Sequence, residues 1–214
     1  MKKYDEIIDK VIALYKGRGC ELNFNNEYQL LVAVILSAQC TDKRVNEVTK
    51  ELFKVASTPE DMLALGESKL KKYIYSCGFY NNKAKNILSA SADLVSRFNS
   101  VVPNTFEELV SLAGVGEKTA SVVLATAFNK PAFAVDTHVF RLSKRLGLAD
   151  EKNEHNTMVK LKSRISKDRW SEGHFALVLH GRYCCYARNP NCKLCPLVDI
   201  CKYYKKENKI NVWW

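Results

Sequence analysis

Five of the eight cysteines fall between positions 184 and 201, as Cys184, Cys185, Cys192, Cys195 and Cys201, while Cys20, Cys40 and Cys77 are scattered. The N-terminal stretch "MKKYDEIIDKVIALYK" mixes Asp and Glu among its apolar residues, unlike the uninterrupted apolar core of a secretory leader. The chain is therefore expected in the cytoplasm, where disulfides do not persist, and thiols crowded into so short a segment read as metal ligands. Cys185, Cys192, Cys195 and Cys201 are spaced C-x6-C-x2-C-x5-C. Four soft thiolates at that spacing can hold tetrahedral zinc or an iron–sulfur cluster, and softness alone does not separate the two.

The remainder reads as helix. Ile7, Ile8, Val11, Ile12 and Leu14 form one apolar stripe and Leu88, Leu94 and Val95 belong to another, while alternating strand patterns between hairpin turns are scarce. An all-α fold is predicted. The longest apolar run, Leu30 to Leu36, is far shorter than the roughly 20 residues that cross a bilayer, so no membrane association is expected. With 214 residues, 47% of them apolar, the chain is long enough for one large or two small domains with a real core. Lys and Arg outnumber Asp and Glu by 33 to 23, and the resulting +10 favours a polyanionic partner.

The segment "LAGVGEKTAS", Leu112 to Ser121, has the lysine, threonine and glycines of a phosphate-binding loop. A nucleotide loop of the Walker type needs a glycine directly before the lysine and a strand leading in; here Glu117 separates Gly116 from Lys118 and the preceding residues are helical. In "TFEELVSL", Thr105 and Glu108 form a capping box that opens a short helix, and "EKTASVVLATAF" continues as an apolar one. "AGVG" is then a tight link, with Gly114 and Gly116 expected at positive φ and the second helix's free N–H groups turned to an anion. That is a helix-hairpin-helix, which grips a DNA phosphate without reading sequence; a hairpin serving only packing fits residues 105–128 as well. By themselves, Lys118 could simply hold a phosphate and Asp136 in "AVDTHVFRL" could cap the following helix.

Taken together and in order, "ILSAQCTD", "LAGVGEKTASVVLATAF", "AVDTHVFRL" and "HGRYCCYARNPNCKLCPLVDIC" resemble the endonuclease III family of DNA glycosylases, over about residues 5–203. The resemblance implies two helical domains: a six-helix domain, residues 21–131, containing the hairpin, and a cluster domain from residues 1–20 plus 132–214, with its loop at 185–201. It implies a [4Fe–4S] cluster on Cys185, Cys192, Cys195 and Cys201, with Cys184 left as a free thiol. The implied function is a bifunctional DNA glycosylase and abasic-site lyase of base excision repair, acting as a nucleoid-associated monomer on duplex DNA that contains damaged pyrimidines or abasic sites. Lys118 is its implied nucleophile and Asp136 its acidic partner. The rival readings are a monofunctional mismatch glycosylase of the same fold and a non-catalytic DNA-binding module.

DNA contacts are implied at Gly114, Val115 and Gly116 of the hairpin, and at Arg188 and Lys193 of the cluster loop. A base must leave the stack before it can be excised, and its gap must be filled. Gln39 matches one filler and Phe79 occupies the other, a wedge position often held by leucine; Phe79 could equally be a core residue. Ser37 and Asp42 flank Gln39 and are expected to shape the pocket, and His138 to line the groove or act as a structural hydrogen-bonder.

Overall fold

A computed structural model describes residues 3–208. In chain order the helices are α1 (Lys3–Leu14), α2 (Glu27–Ser37), α3 (Asp42–Leu52), α4 (Pro59–Ile74), α5 (Tyr80–Phe98), α6 (Phe106–Val110), α7 (Glu117–Ala127), α8 (Thr137–Leu146), α9 (Glu154–Arg164), α10 (Trp170–Tyr183) and α11 (Lys202–Glu207). Tight 3-10 turns sit at Lys167–Arg169, Cys192–Leu194 and Val198–Ile200, and among the described residues there is no strand. The fold is all-α, as the apolar periodicity predicts. The C-terminal tryptophans, Trp213 and Trp214, expected from the sequence to tuck against the body, lie outside the described residues.

Local chemistry sets the helix starts. The side chains of Asn26, Thr41, Thr58, Thr105, Asp136 and Asn153 each accept a backbone N–H from the first turn that follows. Thr58 and Asp61 complete a reciprocal capping box with Pro59 at the first helical position. At α6 the expected box takes another form: the Glu108 carboxylate accepts from the Thr105 hydroxyl, at 2.6 Å.

The chain divides into two compact units, one from Glu21–Asn129 and the other from the first 20 residues together with those from Lys130 onward. In the first, α2 is buried from Tyr28 through Leu36, which is why its sequence is a continuous apolar run instead of a stripe. α7 lies against it and is buried from Ala120 through Ala125, and α4 and α5 pack along one another, with Leu70 and Ile74 of the first and Ile87 and Leu94 of the second fully buried.

In the second unit, Ile8 and Val11 of α1 enter a core with Phe133, Leu142, Leu161 and Leu177. Of the stripe read from the sequence, Leu14 is the exception and faces water. Polar groups fix α1 in register. Asp5, almost fully buried, accepts from the Ser166 N–H at 2.8 Å and the Ser166 hydroxyl at 2.7 Å, and Asp9 takes the Arg169 guanidinium at 2.7 and 3.2 Å. Removing a buried acceptor strands its donor, so Asp5→Ala is expected to lower stability by about 1–3 kcal/mol in urea unfolding.

Candidate active site and cysteine loop

The hairpin turn is built around one glycine. Gly114 has φ +78°, and a Cβ placed there would come 2.8 Å from Cβ of Asn86 on α5, so a side chain is excluded both by backbone and by space. Gly116 differs from the sequence expectation: at φ −92° and ψ 178° it is ordinary extended backbone, and a Cβ there would meet nothing within 4 Å. Its role is that of an N-cap without a side chain, so no cap side chain accepts from the first turn of α7. Val115 is buried and its N–H bonds the Leu112 carbonyl at 3.1 Å, so the residue closes the turn. Lys118, second residue of α7, is exposed.

Gln39 and Phe79 occupy two loops of the same unit, and both carry left-handed backbone, at φ 52° and 58°. For residues with a Cβ that conformation costs about 1–2 kcal/mol each, and such strain gathers at functional positions. Phe79 is 65% exposed, which excludes the core-packing alternative. The loops abut: a Cβ on Gly78 would lie 3.4 Å from the Gln39 carbonyl. Lys83, buried in the first turn of α5, ties them by donating to the carbonyls of Leu36 (2.8 Å) and Ala38 (2.6 Å) at the end of α2. Ser37 is spent on its own helix, donating to the Val34 carbonyl, and Asp42 opens α3 behind the Thr41 cap.

In the other unit Asp136 caps α8, with Oδ1 accepting the Val139 N–H at 2.8 Å. The capping alternative is thus real, and it fixes the rotamer of a carboxylate that is nine-tenths buried. His138 lies half-buried against Arg141, whose guanidinium approaches Nδ1 at 3.3 Å, and burial holds the imidazole below its usual pKa. Gly181 makes that contact possible, since a Cβ there would stand 2.8 Å from Cβ of His138.

One helical turn apart on α8, Arg141 and Arg145 hold the cysteine loop. Arg141 donates to the carbonyls of Gly181 and Cys185, and Arg145 to those of Tyr186 (2.7 Å) and Ala187 (3.0 Å) and to Sγ of Cys185 (3.1 Å). All five loop cysteines are free thiols lining a single cavity. Cys184, set aside in the sequence, is among them, and its ligand atom lies within 4.8 Å of those of Cys195 and His180. Burial pushes the Cys195 thiol up to about 11 and raises Cys201 and Cys184 as well. Buried His180 sits at the back, Nδ1 to the Tyr15 hydroxyl at 3.1 Å and Nε2 to Cys195 Sγ at 3.5 Å; desolvation lowers its pKa to about 4. Arg188 and Lys193 are exposed on the same loop.

Residues 32–167 match the family described as "HhH-GPD superfamily base excision DNA repair protein". The endonuclease III of Rickettsia felis is 47% identical over 204 residues, covering 93% of this chain and 95% of the relative. This chain belongs to the endonuclease III family. A solved structure titled as a non-covalent endonuclease III–DNA complex superposes with a TM-score of 0.91 at 43% identity, over 98% of this chain and all of the other. Another, titled as a trapped endonuclease III–DNA covalent intermediate, gives 0.91 at 42% identity, over 97% of this chain and all of the other.

Within this endonuclease III fold, Gly114, Val115, Gly116, Lys118, Gln39, Phe79, Ser37 and Asp42 belong to one unit, and Asp136, His138, Arg188, Lys193 and the loop cysteines to the other. Sequence reasoning missed Arg141, Arg145, His180 and Tyr15. The i, i+4 spacing of the two arginines after the "VDTH" start was the one available signal. Gly114→Ala is expected to cost about 1–3 kcal/mol of stability, from its positive φ and the clash with Asn86. Gly116→Ala should cost clearly less in the same urea titration, and equal losses would show that φ is not what separates them.

Proposed function

We propose that this chain removes oxidised pyrimidines from duplex DNA and nicks the strand 3′ to the abasic site through a Schiff base on Lys118. The observation that carries the reading is a lysine exposed at the start of an uncapped helix, directly after a glycine turn, in a chain alike along its length to an enzyme trapped as a covalent DNA intermediate. The hairpin's N–H groups take a backbone phosphate, and Gln39 and Phe79 fill the gap left by the flipped nucleotide. The neutral Lys118 amine attacks C1′ of the deoxyribose as the base leaves with its bonding electrons and a proton. Asp136, ionised, stabilises the positive charge that develops on the sugar. The C1′–O4′ bond then breaks as O4′ takes a proton and the sugar ring opens to an imine on Lys118, which makes the proton on C2′ acidic; its loss to a base forms the C2′–C3′ double bond and breaks the C3′–O bond, with the 3′ phosphate leaving.

A [4Fe–4S] cluster would be held by Cys185, Cys192, Cys195 and Cys201. Five reduced thiols around one cavity, with an arginine N–H on one sulfur, suit a soft, multi-thiolate group. When bound it supplies metal–thiolate bonds that fix the loop, so that Arg188 and Lys193 present a rigid cationic edge to the phosphates. A thiolate at Cys195 can only accept, which makes His180 Nε2 the donor and Nδ1 the acceptor for Tyr15. We assign action at the nucleoid, in the cytoplasm, as a monomer.

Borohydride added during reaction with a damaged duplex should give a covalent protein–DNA adduct with the wild type and none with Lys118→Ala. Asp136→Asn should lower base release by about 10²–10⁴-fold while still binding the duplex. Base release without an adduct would mark a monofunctional glycosylase instead. Protein purified without oxygen should absorb in the visible range and lose that band in Cys195→Ser; a colourless wild type carrying one zinc ion would overturn the cluster assignment.

A further inference from the structure

Two cysteines outside the 184–201 loop sit together. Cys40 follows Gln39 in one loop and Cys77 precedes Gly78 and Phe79 in the other. Both are free thiols, near enough that each sulfur acts on the other's charge. Cys77 is wholly buried, whereas Cys40 is half-buried and reachable from solvent. Their backbones already adjoin through Gly78 and the Gln39 carbonyl. The Lys83 ammonium, fixed on the carbonyls of Leu36 and Ala38, acts on both sulfurs, and Arg44 acts on Cys77. A neighbouring thiol pair on two abutting loops, with cations beside it and one member accessible, has what thiol–disulfide exchange requires.

We propose that Cys40 and Cys77 form a reversible disulfide site, taking a small-molecule disulfide such as glutathione disulfide as oxidant, and that the closed bridge ties together the loops carrying Gln39 and Phe79. The Cys40 thiolate attacks one sulfur of the oxidant, forming a mixed disulfide and releasing one glutathione thiolate. The Cys77 thiolate then attacks the Cys40 sulfur, forming the internal bridge and releasing the second. Two thiols lose two protons and two electrons, and one glutathione disulfide becomes two glutathione thiols.

The order follows from the surroundings. Burial pushes the Cys77 thiol up to about 11, and the neighbouring Cys40 sulfur is the next cause. Capping Cys40 removes that neighbour's charge while Lys83 and Arg44 remain, so Cys77 ionises more readily once the mixed disulfide is in place. In a reducing cytoplasm the pair stays open, and an oxidising episode closes it. The effect on activity rests on the proposed gap-filling roles of Gln39 and Phe79. Loops joined across the sulfurs cannot separate to straddle a flipped nucleotide, and incision should fall roughly tenfold or more.

The test treats the intact, metal-loaded protein with glutathione disulfide without oxygen, follows its visible absorption as a control on the other cysteines, and maps tryptic peptides by mass. The expected result is a linked Cys40–Cys77 peptide pair two hydrogens lighter than its parts, with incision of an abasic duplex lowered and then restored by dithiothreitol. Cys40→Ser should form no link and keep its incision rate under the oxidant. A wild type whose Cys40 and Cys77 both remain alkylatable, or whose Cys40 holds glutathione without release, overturns the site. A complete link with unchanged incision overturns its action on the loops. The link is read by mass alone, so a reduced wild type that fails to incise counts against the Lys118 reading and not against the disulfide.

Discussion

Two arginines on α8 are what the cysteine loop depends on. Between the end of α10 and the start of α11 the chain has only short 3-10 turns, so many of its carbonyls lack the partners that regular structure supplies. Arg141 and Arg145 accept that duty for Gly181, Cys185, Tyr186 and Ala187, and Arg145 stacks on Tyr203 with its carbon 4.5 Å from the ring centre. Their reach is fixed because α8 is fixed, through Val139, Leu142 and Leu146 in the core and Asp136 at its start. The carboxylate assigned to catalysis and the loop assigned to the cluster are thus held by one helix.

The other unit solves a different problem, that of presenting groups to a large ligand without softening the fold. Its central helix, α2, is buried on every side, and the strained residues lie just beyond the ends of helices: Gln39 after α2, Phe79 before α5. The buried Lys83 neutralises the negative end of α2 and joins it to α5, so the strain at both loops is borne by a rigid pair of elements. A lysine in that place costs desolvation, which lowers its pKa, and the two carbonyls offset that loss.

What the sequence discloses here follows the range of the forces involved. Helix starts, the hairpin and the cysteine spacing are set by residues a few positions apart, and these were legible in "TFEELVSL", "LAGVGEKTAS" and "CKLCPLVDIC". The conformation of Gly116 was misread because two glycines two residues apart look alike, while only Gly114 has Asn86 pressed against it from another helix. Phe79 could not be separated from a core residue, since burial is a property of the packed unit. The neighbouring of Cys40 and Cys77, the reach of Arg145 to Cys185 and the Tyr15–His180 pair span 37, 40 and 165 positions, and no local pattern encodes them.

The contrast between α7 and α8 carries the argument furthest. Both begin with the same electrostatic problem, several backbone N–H groups without helical partners. At α8 the chain supplies its own anion, and Asp136 is buried in satisfying it, so its orientation is preset before any substrate arrives. At α7 the N-cap position offers no acceptor: Gly116 has no side chain, Glu117 follows it in the first turn, and Gly114 lets the turn lie against Asn86. Capping and catalysis at Asp136 are therefore not rival readings. The cap is what holds the carboxylate in place, and under the function proposed above the absent side-chain cap at Gly116 is what would admit a phosphate next to Lys118.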